Sequence, residues 1–187
     1  MFLLVAGIVL WAFTHLVPGM LPDLKKLVIK KLGVIGYKGV FSLSILVAIL
    51  MIVFGWKSSD TAHLFYLGPE VHKVSLLLMI ISVYLLSVAN FPSKIKTLIR
   101  HPMLVGLILW SSAHLLMNGD IRSLVLFAGF FLWSIAEIIV INRRDNKWIK
   151  PEPPTFMREL ANIVIAIGVL MALVHSHIYF AGMPVHS

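Results

Sequence analysis

The feature that most constrains this chain is its series of long apolar runs, separated by short polar connections. Phe2 to Val17, Val40 to Trp56, Val71 to Val88, Met103 to Met117, Ile121 to Ile141 and Leu160 to Phe180 carry few charges or none. In hydrocarbon a backbone has no water to bond, so an apolar run must satisfy its own N–H and C=O groups as a helix. A span needs about 20 residues for a core about 30 Å thick. The pattern predicts an all-α fold, a polytopic membrane helix bundle of about six transmembrane helices. The chain is 59% hydrophobic and 13% charged, with a mean hydropathy of +0.95, too apolar for a surface facing water. No polar stretch is long enough for a second domain, so residues 1–187 read as a single transmembrane domain.

The first run could be taken for a secretory signal. It lacks a basic leader and a small-residue cleavage site, and His15 and Pro18 stand where cleavage would occur, so it reads as the first span. The next stretch, Leu21 to Lys38, has a different character. Lys25, Lys26, Lys30 and Lys31 alternate at helical spacing with Leu24, Leu27, Val28 and Leu32. That pattern predicts an amphipathic helix lying in the interface, against the headgroups of the lipid bilayer.

The formal net charge is +8, yet its distribution points to topology and away from nucleic acid. Lys25, Lys26, Lys30, Lys31 and Lys38 follow the first span. Lys94, Lys96 and Arg100 follow the third, and Arg143, Arg144, Lys147 and Lys150 follow the fifth. The intervening connections hold Lys57 and Arg122. The positive-inside rule then predicts a multi-pass protein with cytoplasmic basic loops and both termini on the opposite side, which is the periplasm where the membrane is a bacterial inner (cytoplasmic) one. The chain has no cysteine, which excludes disulfides, thiolate ligands and cysteine nucleophiles. Histidines are left as the groups that titrate or bind metal near neutral pH.

Ionisable groups within spans are functional candidates by default. Here they are His15, His114 and Glu137, with His101 and His72 at span entrances and His175 and His177 near the last exit. His101 and His114 lie on one predicted helix. They are about 140° apart around it and about 20 Å apart along it, so they cannot share a metal ion. His114 shares a face with Trp110, Asn118 and Gly106. That stripe reads either as cofactor-facing or as helix packing, with glycine for close approach. Glu137 reads either as a partner of Arg143, Arg144 or a histidine, or as a carboxylate snorkelling to the interface. Three histidines expected in the same half, His72, His114 and His175, raise a divalent-metal site as a further option.

Several signals have purely local readings. His101-Pro102 starts a helix with proline in its first turn. Asn118-Gly119-Asp120 reads as a turn, with Gly119 at a left-handed helix end and Asp120 capping the next helix toward Ser123. Gly33, Gly36 and Gly39 lack the preceding strand of a phosphate-binding loop. No H-E-x-x-H, G-x-S-x-G or CxxC occurs.

The block HPMLVGLILWSSAHLLMNGD resembles the signature region of the NnrU family of bacterial membrane proteins. LGVIGYKGVFSLSIL and THLVPG resemble other stretches of it, and the likeness runs from about His15 to Arg144. The family name is linked to nitrite and nitric oxide reduction, and the family is similar to plant 15-cis-zeta-carotene isomerase, a membrane enzyme with histidine-ligated haem b. The resemblance implies haem b here, with iron ligands at His15 and His114 and a further histidine at His101. It also places Ser111 where the isomerase has a redox-linked cysteine, and a serine hydroxyl is a poor replacement ligand. The implied role is redox sensing or isomerisation of an apolar small-molecule substrate in the bilayer, with a redox partner. The alternatives are a non-enzymatic accessory of denitrification and a small transporter. Helix rise places His15 and His114 about 10 Å apart in depth and makes His15 with His101 the better match.

Overall fold

The structure is a computed structural model that describes residues 1–181. It has six α-helices: α1 (Phe2–Met20), α2 (Pro22–Lys57), α3 (Val71–Val88), α4 (Pro102–Met117), α5 (Ile121–Arg144) and α6 (Phe156–Ala181). A 3-10 turn, Lys94–Thr97, precedes α4. Five of these helices are long and apolar enough to cross a membrane. The sixth, α4, has 16 residues. At a rise of about 1.5 Å per residue it reaches about 24 Å, short of the hydrocarbon core. The expected six spans are therefore five long ones and one short apolar helix.

The predicted interfacial helix and second span form one element with a break in it. Gly33 adopts φ 71°, ψ 172° inside α2, the only positive φ among the described residues. That region is essentially restricted to glycine. The break separates the lysine-rich segment from the apolar one. The basic segment can thus leave the direction of the span, as its amphipathic pattern requires.

Contacts set the helix directions. Gly7 meets Ile52 and Ala48, Gly55 meets the Leu4 backbone, and the His15 ring meets Phe41, so α1 and α2 are antiparallel. Ser75 Oγ donates to the Ala113 carbonyl (2.9 Å) and Ser82 Oγ to the Gly106 carbonyl (2.7 Å), which joins α3 and α4 antiparallel. A Cβ on Gly106 would stand 3.2 Å from the Ser82 carbonyl oxygen, so hydrogen in place of a side chain permits this approach. Ile8 faces Gly129 and Gly19 faces Val140, so α1 and α5 run parallel. On its other flank α5 packs antiparallel to α4, through Phe127 and Phe130 against Trp110.

These directions gather the predicted basic connections at one end of the bundle. At that end α6 is fastened by its own carboxylate. Glu159 Oε1 accepts from the Tyr84 hydroxyl (2.7 Å) and Ser93 Oγ (3.1 Å), and Oε2 accepts from the Lys94 N–H (3.0 Å). Asn162 Nδ2 adds a bond to the Pro92 carbonyl (2.8 Å).

At the opposite end the 58–70 connection folds over the α4–α5 turn. Leu64 N donates to the Gly119 carbonyl (2.7 Å) and Ile121 N to the Ala62 carbonyl (3.0 Å). Gly119 does not take the left-handed conformation predicted for it. It is instead a close-approach glycine, since a Cβ there would fall on the Phe65 carbonyl. Asp120 does cap α5, accepting from Ser123 N (3.0 Å) and Ser123 Oγ (2.6 Å). Arg122 lies over the Trp56 ring at 4.4 Å and ties the end of α2 to the start of α5.

Candidate site at the seam of α1, α4 and α5

Two copies of one local arrangement face α5. The spacing W-x-x-x-H occurs at Trp11–His15 and again at Trp110–His114. On a helix that spacing stacks tryptophan and histidine on one face. His15 Nδ1 lies 2.9 Å from the Trp11 carbonyl, and His114 Nδ1 lies 2.9 Å from the Trp110 carbonyl. A carbonyl oxygen only accepts, so Nδ1 carries the proton in both. The neutral ring keeps a lone pair on Nε2, the state a metal-ligating imidazole takes.

The two rings rest on different parts of α5. His15 packs against Trp133 at 5.0 Å between ring centroids and is flanked by Trp11 (4.5 Å) and Phe41 (5.5 Å). His114 stacks on Phe127 at 4.4 Å beside Trp110 (4.7 Å). Trp133 and Phe127 are six residues apart, about 9 Å along α5. Between them Phe130 touches Trp11 (5.6 Å) and Trp110 (6.2 Å). A continuous wall of rings therefore runs from one histidine to the other. Trp133 and Phe127 are its buried members, at 7% and 5% exposure.

The family model for the NnrU protein matches residues 3–185, nearly the whole chain. The chain belongs to the NnrU family. No curated protein and no solved structure matches it.

Haem b is the group that the NnrU resemblance implies. Taken singly, each imidazole could hold its iron, by tautomer and by setting. Taken as a pair they do not fit one haem in this arrangement, because the ring wall and the depth difference along α5 stand between them. His101 has a partner of its own. Its Nε2 lies 2.9 Å from Asn142 Oδ1 at the basic end of the bundle. α4 opens at the basic end of the bundle, and the register of α1 on α5, Ile8 at Gly129 and Gly19 at Val140, sets His15 opposite Ala136, closer in depth to Asn142 than to Phe127.

The remaining predicted residues divide between structural and open roles. Asn118 Nδ2 donates to the His114 carbonyl (2.8 Å) and so finishes α4. Gly106 faces α3 while Trp110 and His114 face α5, so the predicted stripe splits between two neighbours. Ser111 is fully buried, at 0% exposure, and its Oγ has no hydrogen-bond partner among the described residues. Glu137 stands two turns past Phe130 on the same face of α5. Its Oε2 is buried without a hydrogen-bond partner, as are the indole N–H groups of Trp11 and Trp133. Arg144, one predicted partner of Glu137, gives its hydrogen bonds to Asp145, both at 2.9 Å, while its charge still acts on Glu137.

Among the described residues no three histidine, aspartate or glutamate side chains are grouped to hold a metal ion. The site of His72, His114 and His175 therefore does not form. His72 is exposed and turned to the Pro69 carbonyl at 2.9 Å, while His114 is enclosed by rings.

Sequence reasoning passed over Trp11, Phe127, Phe130 and Trp133. The repeated W-x-x-x-H spacing was the available signal for the first. The aromatic run FAGFFLW from Phe127 to Trp133 was the signal for the others.

Proposed function

We propose that this NnrU-family protein is a histidine-ligated haem b protein of the cytoplasmic membrane, with His15 or His114 as an iron ligand and with a redox role. The observation that carries the reading is the repeated arrangement of the two histidines. Each ring is half-buried on an apolar helix, and each is held by its own helix with the Nε2 lone pair free. Haem b, when bound, supplies a one-electron couple. The chain's own part is to hold the imidazole tautomers through the Trp11 and Trp110 carbonyls. The aromatic wall excludes water from the seam, and in such a low-dielectric setting fixed dipoles act strongly.

Ser111 favours redox sensing or electron transfer over isomerisation. A buried hydroxyl without a partner has neither the redox couple nor the ligand strength of a thiolate. An apolar substrate in the bilayer is the ligand class for the isomerase-like variant of the reading. The positive-inside rule supports placing the basic end, with Lys94, Arg100 and Arg143, in the cytoplasm. The N-terminus, at the other end near Ser59, then faces the periplasm.

A second reading is supported by the ring wall itself. It fills the space between the two histidines, which suits a non-enzymatic membrane accessory of nitrogen-oxide metabolism whose histidines are structural. Spectra of the purified protein separate the two, since only the first requires a b-type haem absorbance that depends on His15 or His114.

A further inference from the structure

A different cluster lies at the end opposite the basic loops. There the 58–70 connection is pinned on both sides of His63: Ile121 N bonds the Ala62 carbonyl (3.0 Å) and Leu64 N bonds the Gly119 carbonyl (2.7 Å). His72 opens α3, with Nδ1 held 2.9 Å from the Pro69 carbonyl. As at the seam, that bond leaves a lone pair on Nε2. The last turn of α4 contributes Met117. These three elements line an open cavity of about 190 Å³, with the exposed His63, His72 and Met117 in its lining and Phe65, Leu67 and Leu116 as apolar wall.

The donor set points to one class of ion. No carboxylate lines the cavity. The neighbouring Asp120 is engaged, accepting from Ser123 N (3.0 Å) and Ser123 Oγ (2.6 Å) with Arg122 at 3.6 Å. A soft thioether with imidazoles suits a monovalent soft cation. We propose that His63, His72 and Met117 form a Cu(I) site at this end of the bundle. The site is independent of the seam histidines and of haem.

The test uses the full chain purified in detergent under reducing conditions. Cu(I) is titrated against a chromophoric Cu(I) chelator, and X-ray absorption is recorded on the copper-loaded protein. The proposal predicts retention of one Cu(I) and a shell that contains nitrogen and sulfur. His72→Gln and Met117→Leu should each weaken binding by about 10-fold or more, the scale seen when a metal site loses support. His101→Gln, at the other end of the bundle, should leave the affinity unchanged. Failure of the wild-type protein to hold copper against the chelator overturns the proposal. So does a shell without sulfur, equal affinity in Met117→Leu and wild type, or Zn(II) held as tightly as Cu(I). The sulfur shell is read on the wild-type chain and needs no variant to fold.

Discussion

His15 and His114 make the same bond and reach different places. Each Nδ1 lies 2.9 Å from the carbonyl of the tryptophan four residues before it, yet one ring packs on Trp133 and the other on Phe127. The difference lies in α5, which runs between α1 and α4 and separates the two imidazoles by its own aromatic residues. The seam therefore holds its two histidines at separate positions along α5.

The turn after α4 tests how the far end is held. A methyl group on Gly119 would fall on the Phe65 carbonyl, whereas nothing lies within 4 Å of a Cβ on Gly68 in the same connection. Gly119→Ala should lower stability by roughly 1–3 kcal/mol, the usual cost of forcing atoms into a packed site. Gly68→Ala should change it far less. Thermal unfolding in detergent, followed by circular dichroism, compares the two.

Gly33 should behave as a conformational requirement with no packing role. Nothing lies within 4 Å of its Cβ position, yet its φ is +71°. Gly33→Ala should cost roughly 1–3 kcal/mol or straighten α2. A spin label at Lys26 reports the second outcome, as a change in its depth relative to the lipid headgroups. Gly39→Ala, also in open space but with ordinary backbone, should do neither.

The carboxylate of Glu159 fastens α6. Glu159→Ala leaves the Tyr84 hydroxyl, Ser93 Oγ and the Lys94 N–H without their acceptor. The expected loss is about 1–3 kcal/mol, and it should fall mainly on α6. Limited proteolysis in the 145–155 connection should accelerate in the variant while cleavage at 58–70 stays constant.

One pH effect follows from the basic end. Hydrogen bonds from Arg144 hold the Asp145 carboxyl below the usual carboxylate range, with the charges of Arg100 and His101 adding to the effect. A depressed native value means that the contribution is complete above the unfolded value of about 3.9 and fades as the pH falls below it. Asp145→Asn should therefore flatten the acid limb of the melting temperature below about pH 4 and leave neutral pH almost unchanged. The side chain is exposed, so the effect is small.

Much of this architecture is legible in the sequence, for local reasons. Apolar run length places the spans, lysine spacing places the amphipathic segment, and Asp120 with Ser123 announces the start of α5. Each signal lies within a few residues of the structure it specifies. What stays hidden depends on distant partners. Gly119 has the look of a left-handed cap until Phe65, from a connection two helices earlier, is laid against it. Glu137 invites pairing with Arg144 until Asp145 takes that guanidinium. The face of Gly106, Trp110 and His114 is continuous on the helical wheel, but two neighbours share it. The separation of His15 from His114 follows from the order of helices in the bundle, which no local pattern encodes.

The central claim is that these two histidines present iron-binding nitrogens within the bilayer, and a reduced-minus-oxidised absorbance spectrum tests it most directly. The full chain, expressed with haem supplementation and purified in detergent, should show a b-type Soret difference band. That band should shift or weaken in His15→Ala or His114→Ala and vanish in the double variant, while His101→Ala leaves it intact. A wild-type protein without the band, or a double variant that keeps it unchanged, would contradict the account.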